Sequence, residues 1–347
     1  MGSGAPVTAP DPDAPLAVGQ IEVHSGTPAR TGSVPTIAAG LAAAEALWGA
    51  AGSTAVKGTY VVSIADSAAY PGDLAVTVPA GTRLVLVAAA WPARRPPSGE
   101  VLAAVPGRYA PGGLRPHLRG TLRIDGGLGS SVVVDGLLIE GDLVVEPGRL
   151  AHLTVAHTTI TGALRAGSTT RRLHLRLSRS VVGGVELAGT VPLLAVDTSI
   201  LDATAGGGSA LTGDGVHACL EGTTVRGTTR VRSLDASSCV LDGLVEVADR
   251  QAGCLRFSCV APGSRTPRRY RCVPDDGAVP VYAATDPASP AYPALAGSCS
   301  ASIREAGEHG AEPGVHHHLR RPLRLRAAER QLAPYRPAGI ELGIFGS

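Results

Sequence analysis

A short stretch of text recurs along the middle of this chain, and that recurrence limits the folds open to it more than any other feature. Five segments align from about residue 119 onward: Val132–Gly141, Leu153–Gly162, Leu175–Gly184, Ala218–Gly227 and Leu234–Gly243. A sixth, Leu193–Asp202, ends on Asp where the others end on Gly. The apolar residue two before that end anchors each copy: Ile139, Ile160, Val182, Ile200, Val225 and Leu241. The intervals are 21, 22, 18, 25 and 16 residues, a mean near 20, with the variation that loops of unequal length produce. A period of this size is the mark of a solenoid, in which each repeat buries its apolar face only against its neighbours.

The pattern inside each copy is more specific than the period. Apolar residues stand seven and five positions before the anchor, as in Val132/Val134, Leu153/Val155, Leu175/Leu177, Leu193/Ala195, Ala218/Leu220 and Leu234/Ala236. The next inward pair is the anchor and the residue two before it: Leu137/Ile139, Thr158/Ile160, Ser180/Val182, Thr198/Ile200, Thr223/Val225 and Cys239/Leu241. Inward residues of one strand keep one parity. The parity changes between the two pairs, so the chain must turn there. Two or three short strands per repeat, bent at fixed places, predict an all-β, right-handed parallel β-helix of the pectate-lyase-like kind, with neighbouring coils about 4.8 Å apart. Composition agrees: 45 Gly and 27 Pro supply turns, and aromatic residues are only 3%, as a narrow interior of stacked aliphatic side chains requires.

This register divides the chain into four parts. Residues 1–18 read as a flexible leader. Residues 19–118 hold leading strands, first coils and a helical cap. Residues 119–262 are the β-helix coils, and 263–347 a C-terminal extension packing on the solenoid. The cap is the helix expected over Pro35–Trp48, with Ser33 as candidate N-cap and Ile37, Leu41, Ala44, Leu47 and Trp48 on its buried face. A short helix is expected at Pro322–Leu332.

Charge and cysteine usage exclude some functions. With 31 basic and 29 acidic residues the net charge is +2, which gives no drive toward nucleic acid. The longest apolar runs are too short for a membrane span, and Met1–Gln20 lacks the basic start and apolar core of a signal peptide. The expected location is the cytoplasm, or release with a particle. The six cysteines, all beyond residue 218, contain no CxxC pair. Cys254, Cys272 and Cys299 with His316 and His317 are the candidate metal set; a disulfide or free thiols in this region is the alternative. No other cofactor is expected.

Aligned copies also place side chains beside one another. His152 and His174 fall at one position of adjacent coils and should meet. His157, Arg179 and Asp197 fall at the sharp turn and should form an exposed row, a candidate site for an acidic sugar; the plain alternative is a solvated turn with weak ion pairing. The Ser/Thr column at Thr158, Ser180, Thr198 and Thr223 is inward and should satisfy itself by hydrogen bonding. Asp202 and Asp242 are not on neighbouring coils, so no calcium cluster is predicted. Arg268, Arg269 and Arg271, with Arg265 and Tyr270, form the densest basic cluster. It would grip an anionic partner, or pack across the last coil and pair with Asp275 and Asp276.

Over most of residues 20–347, and most specifically at 253–272, the chain resembles an uncharacterised bacterial family of right-handed β-helix proteins. The matching segments are Gly253–Ser258, Pro262–Cys272, Gly314–Leu319, Arg115–Gly120 and the Gly-Ile-Phe ending. The chain departs from the family at Pro313 and Gly314 and at its last residues, Phe345-Gly-Ser. Members are often encoded near genes of phage tail-like particles or contractile injection systems. The resemblance implies a non-catalytic structural or adaptor role with protein components of such a particle as partners, and carries over no catalytic residue. The alternative is a carbohydrate-binding or carbohydrate-active β-helix with a polysaccharide partner.

Overall fold

A computed structural model describes residues 19–26, 33–49, 57–89, 113–169, 171–204, 208–274 and 277–335. The expected leader and the last residues of the ending lie outside that set. The chain forms two compact units, residues 1–194 and 195–347.

The first unit is three ladders of short parallel strands. The first ladder runs through Gly19–Val23, Thr59–Ile64, Arg83–Ala88, Ser131–Asp135, His152–Ala156 and His174–Ser178. The second runs through Ala69–Pro71, His117–Arg119, Leu138–Ile139 and the starts of Thr159–Ser168 and Val181–Leu187. The third takes Leu74–Val78, Leu122–Gly126, Leu143–Gly148 and the ends of those last two strands. Each repeat thus adds one rung to each ladder. Like residues stack inward: Leu84, Val132, Leu153 and Leu175 form one column, and Leu86, Val134, Val155 and Leu177 the next, none more than 2% exposed. Each such side chain contributes about 1.5–3 kcal/mol of hydrophobic stabilisation. His152 and His174 are register partners, and their rings meet edge to face at 5.3 Å, as the alignment predicts.

The cap helix covers Ile37–Gly49 and lies against strands Gly19–Val23, Thr59–Ile64 and Leu74–Val78. Its first turn is capped by Thr36, whose Oγ1 accepts the Ala39 N–H at 3.1 Å, rather than by Ser33. Ile37, Leu41, Ala44 and Trp48 are buried as expected, but Leu47 is 46% exposed, and Gly40 takes the inner face instead. A Cβ on Gly40 would lie 2.7 Å from Val23, so only glycine lets the helix approach this closely.

The second unit repeats the scheme. One ladder joins the ends of Ser209–Glu221 and Thr228–Ser237 to Gly253–Arg256 and Arg268–Tyr270. A second joins Ile200–Asp202, Thr224–Arg226, Val240–Leu241 and Cys259–Val260. A third pairs Thr228–Ser237 with Val245–Val247. Beyond residue 277 the extension adds short helical turns and a helix at Arg321–Leu332, close to the expected span. No helix among the described residues is long and apolar enough to cross a membrane.

The turn that the parity change demands is a single residue in the left-handed region. It is Gly136, His157 and Arg179 in the first unit, and Thr198, Gly222, Ser238, Phe257 and Arg271 in the second. The side chain that follows turns inward and ties the corner. Except after Gly136, where Leu137 follows, its hydroxyl or thiol donates to the carbonyl two residues back: Thr158 to Ala156, Ser180 to Ser178, Ser199 to Asp197, Thr223 to Glu221, Cys239 to Ser237, Ser258 to Arg256 and Cys272 to Tyr270. The oxygens also link repeats, since Ser180 Oγ accepts the Thr158 N–H and Ser258 Oγ the Cys239 N–H. The inward column therefore satisfies itself, as predicted for Thr158, Ser180 and Thr223, with Ser199 in the place expected for Thr198.

The sixth copy corrects the sequence register by one residue. Leu201, not Ile200, pairs with Val225. The inward residues are Leu194, Val196, Ser199 and Leu201, not Leu193, Ala195, Thr198 and Ile200. A one-residue slip moves a strand's side chains to the opposite face. The adjacent pairs Leu193-Leu194 and Ile200-Leu201 fit either parity, which is why the text alone allowed the error.

Candidate functional site

The register places Asp202, Arg226 and Asp242 in one column on three successive repeats of the second unit. Arg226 ends strand Thr224–Arg226, all three of whose residues are buried. Its Nη1 contacts Asp202 Oδ2 at 2.6 Å, with both side chains 10% exposed. Its Nε lies 3.9 Å from Asp242 Oδ2 and has no hydrogen-bond partner, so Asp242 acts on it through charge alone.

Two tyrosines from the extension close over this column. The Arg226 guanidinium sits 5.0 Å from the Tyr282 ring centroid and 5.7 Å from that of Tyr292. The Tyr282 hydroxyl donates to Asp242 Oδ2 at 2.9 Å, and the Tyr292 hydroxyl donates to Asp202 Oδ2. The remaining carboxylate oxygens are also used. Asp202 Oδ1 accepts from the Thr204 amide and hydroxyl, and Asp242 Oδ1 accepts from the Gly227 amide.

The two carboxyls respond oppositely to these surroundings. Burial opposes the charge of Asp202, but the Thr204 and Tyr292 hydrogen bonds and the Arg226 charge outweigh it and hold the carboxyl below its usual range. At Asp242 burial prevails over its hydrogen bonds to Tyr282 and Gly227 and over Arg226, so its carboxyl is raised. Burial first, and then the neighbouring carboxylates, push both tyrosine hydroxyls well above their ordinary value. Split carboxyls of this kind serve acid–base catalysis when substrate can reach them. Here their acceptor atoms are filled by the protein's own donors, and the arrangement works as a latch that holds the extension on the ladder.

Further contacts seat the extension. Leu295, Cys299 and Ile303 pack with Val240 and Cys259 in one apolar cluster. The Gly314 amide donates to the Ser238 carbonyl at 2.7 Å, and the Val315 amide to Thr224 Oγ1 at 3.0 Å. Gly314 has φ +89, and a Cβ there would lie 2.4 Å from Thr224 Oγ1. Glu312 is 4% exposed and accepts the Leu295 amide, and burial raises its carboxyl.

No family model, curated protein or solved structure matches this chain.

The residues singled out in the sequence are placed as follows. His157 and Arg179 take the left-handed turn, but Asp197 precedes it, and Thr198 stands at that corner. The predicted His–Arg–Asp row is corrected by the same one-residue slip. His157 Nδ1 pairs instead with the buried Asp135 at 3.0 Å. Arg268, Arg269 and Arg271 are exposed at the last strand. Arg271 lies over the Phe257 and Tyr270 rings, and Arg269 bonds Thr266 Oγ1 and the Ser264 carbonyl, which is local packing. The expected pairing with Asp275 and Asp276 lies outside the described residues.

The expected metal set does not converge among the described residues. Cys299 is in the apolar cluster, while His316 Nε2 meets the Tyr292 carbonyl and His317 Nδ1 the Glu312 carbonyl. Cys254 and Cys272 are half-buried, and none of the six cysteines is bridged to another. Arg226, Tyr282 and Tyr292 were not legible as a site. A correct sixth register would have aligned Asp202 with Arg226; the tyrosines sit in text without a period.

Proposed function

We propose that this chain is a non-catalytic structural or adaptor component of a phage tail-like or contractile injection particle, built on a right-handed parallel β-helix. The hand follows from the rule that parallel crossovers are right-handed. The observation that carries the reading is the Arg226 latch. The most organised group of charged and polar side chains in the described residues is spent on fixing the extension to the ladder, which makes a rigid body with a preset surface. The inward column of corner hydroxyls works the same way, since each is engaged with backbone. The particle context rests on the resemblance centred on residues 253–272.

The test is made in the native host. Tail-like particles are sedimented from lysate, and the ratio of this chain to sheath and tube proteins is read by mass spectrometry. A fixed ratio that survives high salt is expected. Its absence from clean particles overturns the proposal and brings polysaccharide binding and cleavage assays forward.

A further inference from the structure

A second cluster lies on the outer face of the second unit and shares no residue with the latch. His217 and Cys219 stand two apart on strand Ser209–Glu221, so both point to the same face. Asp235 is the register partner of Cys219 in the next repeat, and Ser233 that of His217. Three ligand-type atoms converge: His217 Nε2 is 3.3 Å from Cys219 Sγ and 3.4 Å from Asp235 Oδ2. Tetrahedral zinc with ordinary Zn–N, Zn–S and Zn–O bonds holds such atoms about 3.4–3.6 Å apart. Both separations stand at or just under that range, and all three ligand atoms lie within 4.8 Å of one another.

The surroundings orient the ligands. His217 Nδ1 meets Ser233 Oγ at 2.8 Å; with the proton on Nδ1, this contact leaves the Nε2 lone pair facing Cys219 and Asp235. Asp235 Oδ1 accepts the Cys254 amide at 3.0 Å, which directs Oδ2 toward the histidine. The His217 and Asp235 side chains are 39% and 48% exposed, so an ion reaches them from solvent. A thiolate, an imidazole and a carboxylate together favour zinc over calcium or magnesium.

We propose that His217 Nε2, Cys219 Sγ and Asp235 Oδ2 bind one Zn²⁺, which staples two successive repeats and leaves a fourth position for water. On binding, the Cys219 S–H gives its proton to solvent and the sulfur lone pair forms the Zn–S bond.

The test uses the full chain reduced and metal-free, with Co²⁺ as the spectroscopic probe and Zn²⁺ as competitor. One equivalent of Co²⁺ should bind with a thiolate-to-metal charge-transfer band that Zn²⁺ abolishes. Cys219→Ser should remove the band, and Asp235→Asn should weaken binding at least tenfold. Cys254→Ser should change neither. Circular dichroism checks the fold of each variant, and His217→Gln is the substitute where one fails to fold. A wild-type chain without the band overturns the proposal. So does a band that survives Cys219→Ser and disappears in Cys254→Ser.

Discussion

Replacing Arg226 by Met removes the one cation between two carboxylates while keeping an apolar stem of similar reach. Asp202 and Asp242 are then left with side chains 10% and 19% exposed and no compensating charge. Breaking a buried pair in this way costs about 3–5 kcal/mol, more than the pair is worth, because the stranded charge must be desolvated. Loss of the two tyrosine faces adds about 0.5–2 kcal/mol each. The hydroxyls of Tyr282 and Tyr292 keep their acceptors, so the effect is electrostatic rather than a loss of hydrogen bonds. Taking the lower range, the open form of the extension rises roughly 100-fold to 1,000-fold at 1.4 kcal/mol per tenfold. Limited proteolysis of the intact chain, read at cleavages in 277–296, measures this directly. The decisive comparison is the triple variant Arg226→Met, Asp202→Asn, Asp242→Asn. It removes the stranded charges and should recover most of the lost protection, since a neutral replacement of a buried ion group is close to energetically neutral. An Arg226→Met chain cleaved within threefold of wild type refutes the reasoning. A triple variant as labile as the single one does so too.

Three further outcomes follow from the same geometry. Thr198 is β-branched at φ 47 with its corner tied by Ser199, so Thr198→Gly should raise stability by about 0.5–1 kcal/mol in thermal unfolding, whereas His157→Gly at the equivalent corner should lower it by stranding buried Asp135. Ser258→Ala removes the acceptor of the buried Cys239 amide and should cost about 1–3 kcal/mol in denaturant unfolding, while Ser258→Thr keeps the oxygen and should cost less. The lowered Asp202 carboxyl contributes stability that is present above its unfolded value and lost as pH falls through its folded value; Asp202→Asn should flatten that acid-side loss, and an unchanged pH profile contradicts the assignment.

The ladders were legible because inward aliphatic residues recur with fixed spacing, and Val132, Leu153 and Leu175 stack where their alignment puts them. The left-handed corner was legible only as a change of parity: nothing in the text marks His157 or Arg179 as residues at positive φ, because their neighbours impose that conformation. The sixth copy misled because paired leucines and isoleucine fit both faces, and the error hid the Asp202–Arg226 alignment. The latch was hidden for a different reason. Tyr282 and Tyr292 reach Arg226 from more than fifty residues along the chain, through an extension with no repeat to fix its register. The His217–Cys219–Asp235 group followed from alternation once the register was known, since residues two apart share a face and the next repeat supplies the third.

Amide hydrogen exchange on the intact wild-type chain asks whether the extension and the ladder are one structural body. Amides of Ala283, Leu295 and Gly314 should be protected to within about tenfold of those in Thr224–Arg226 and Val240–Leu241, and lose protection together with them. Exchange of the extension at free-chain rates while the ladder stays protected would contradict it.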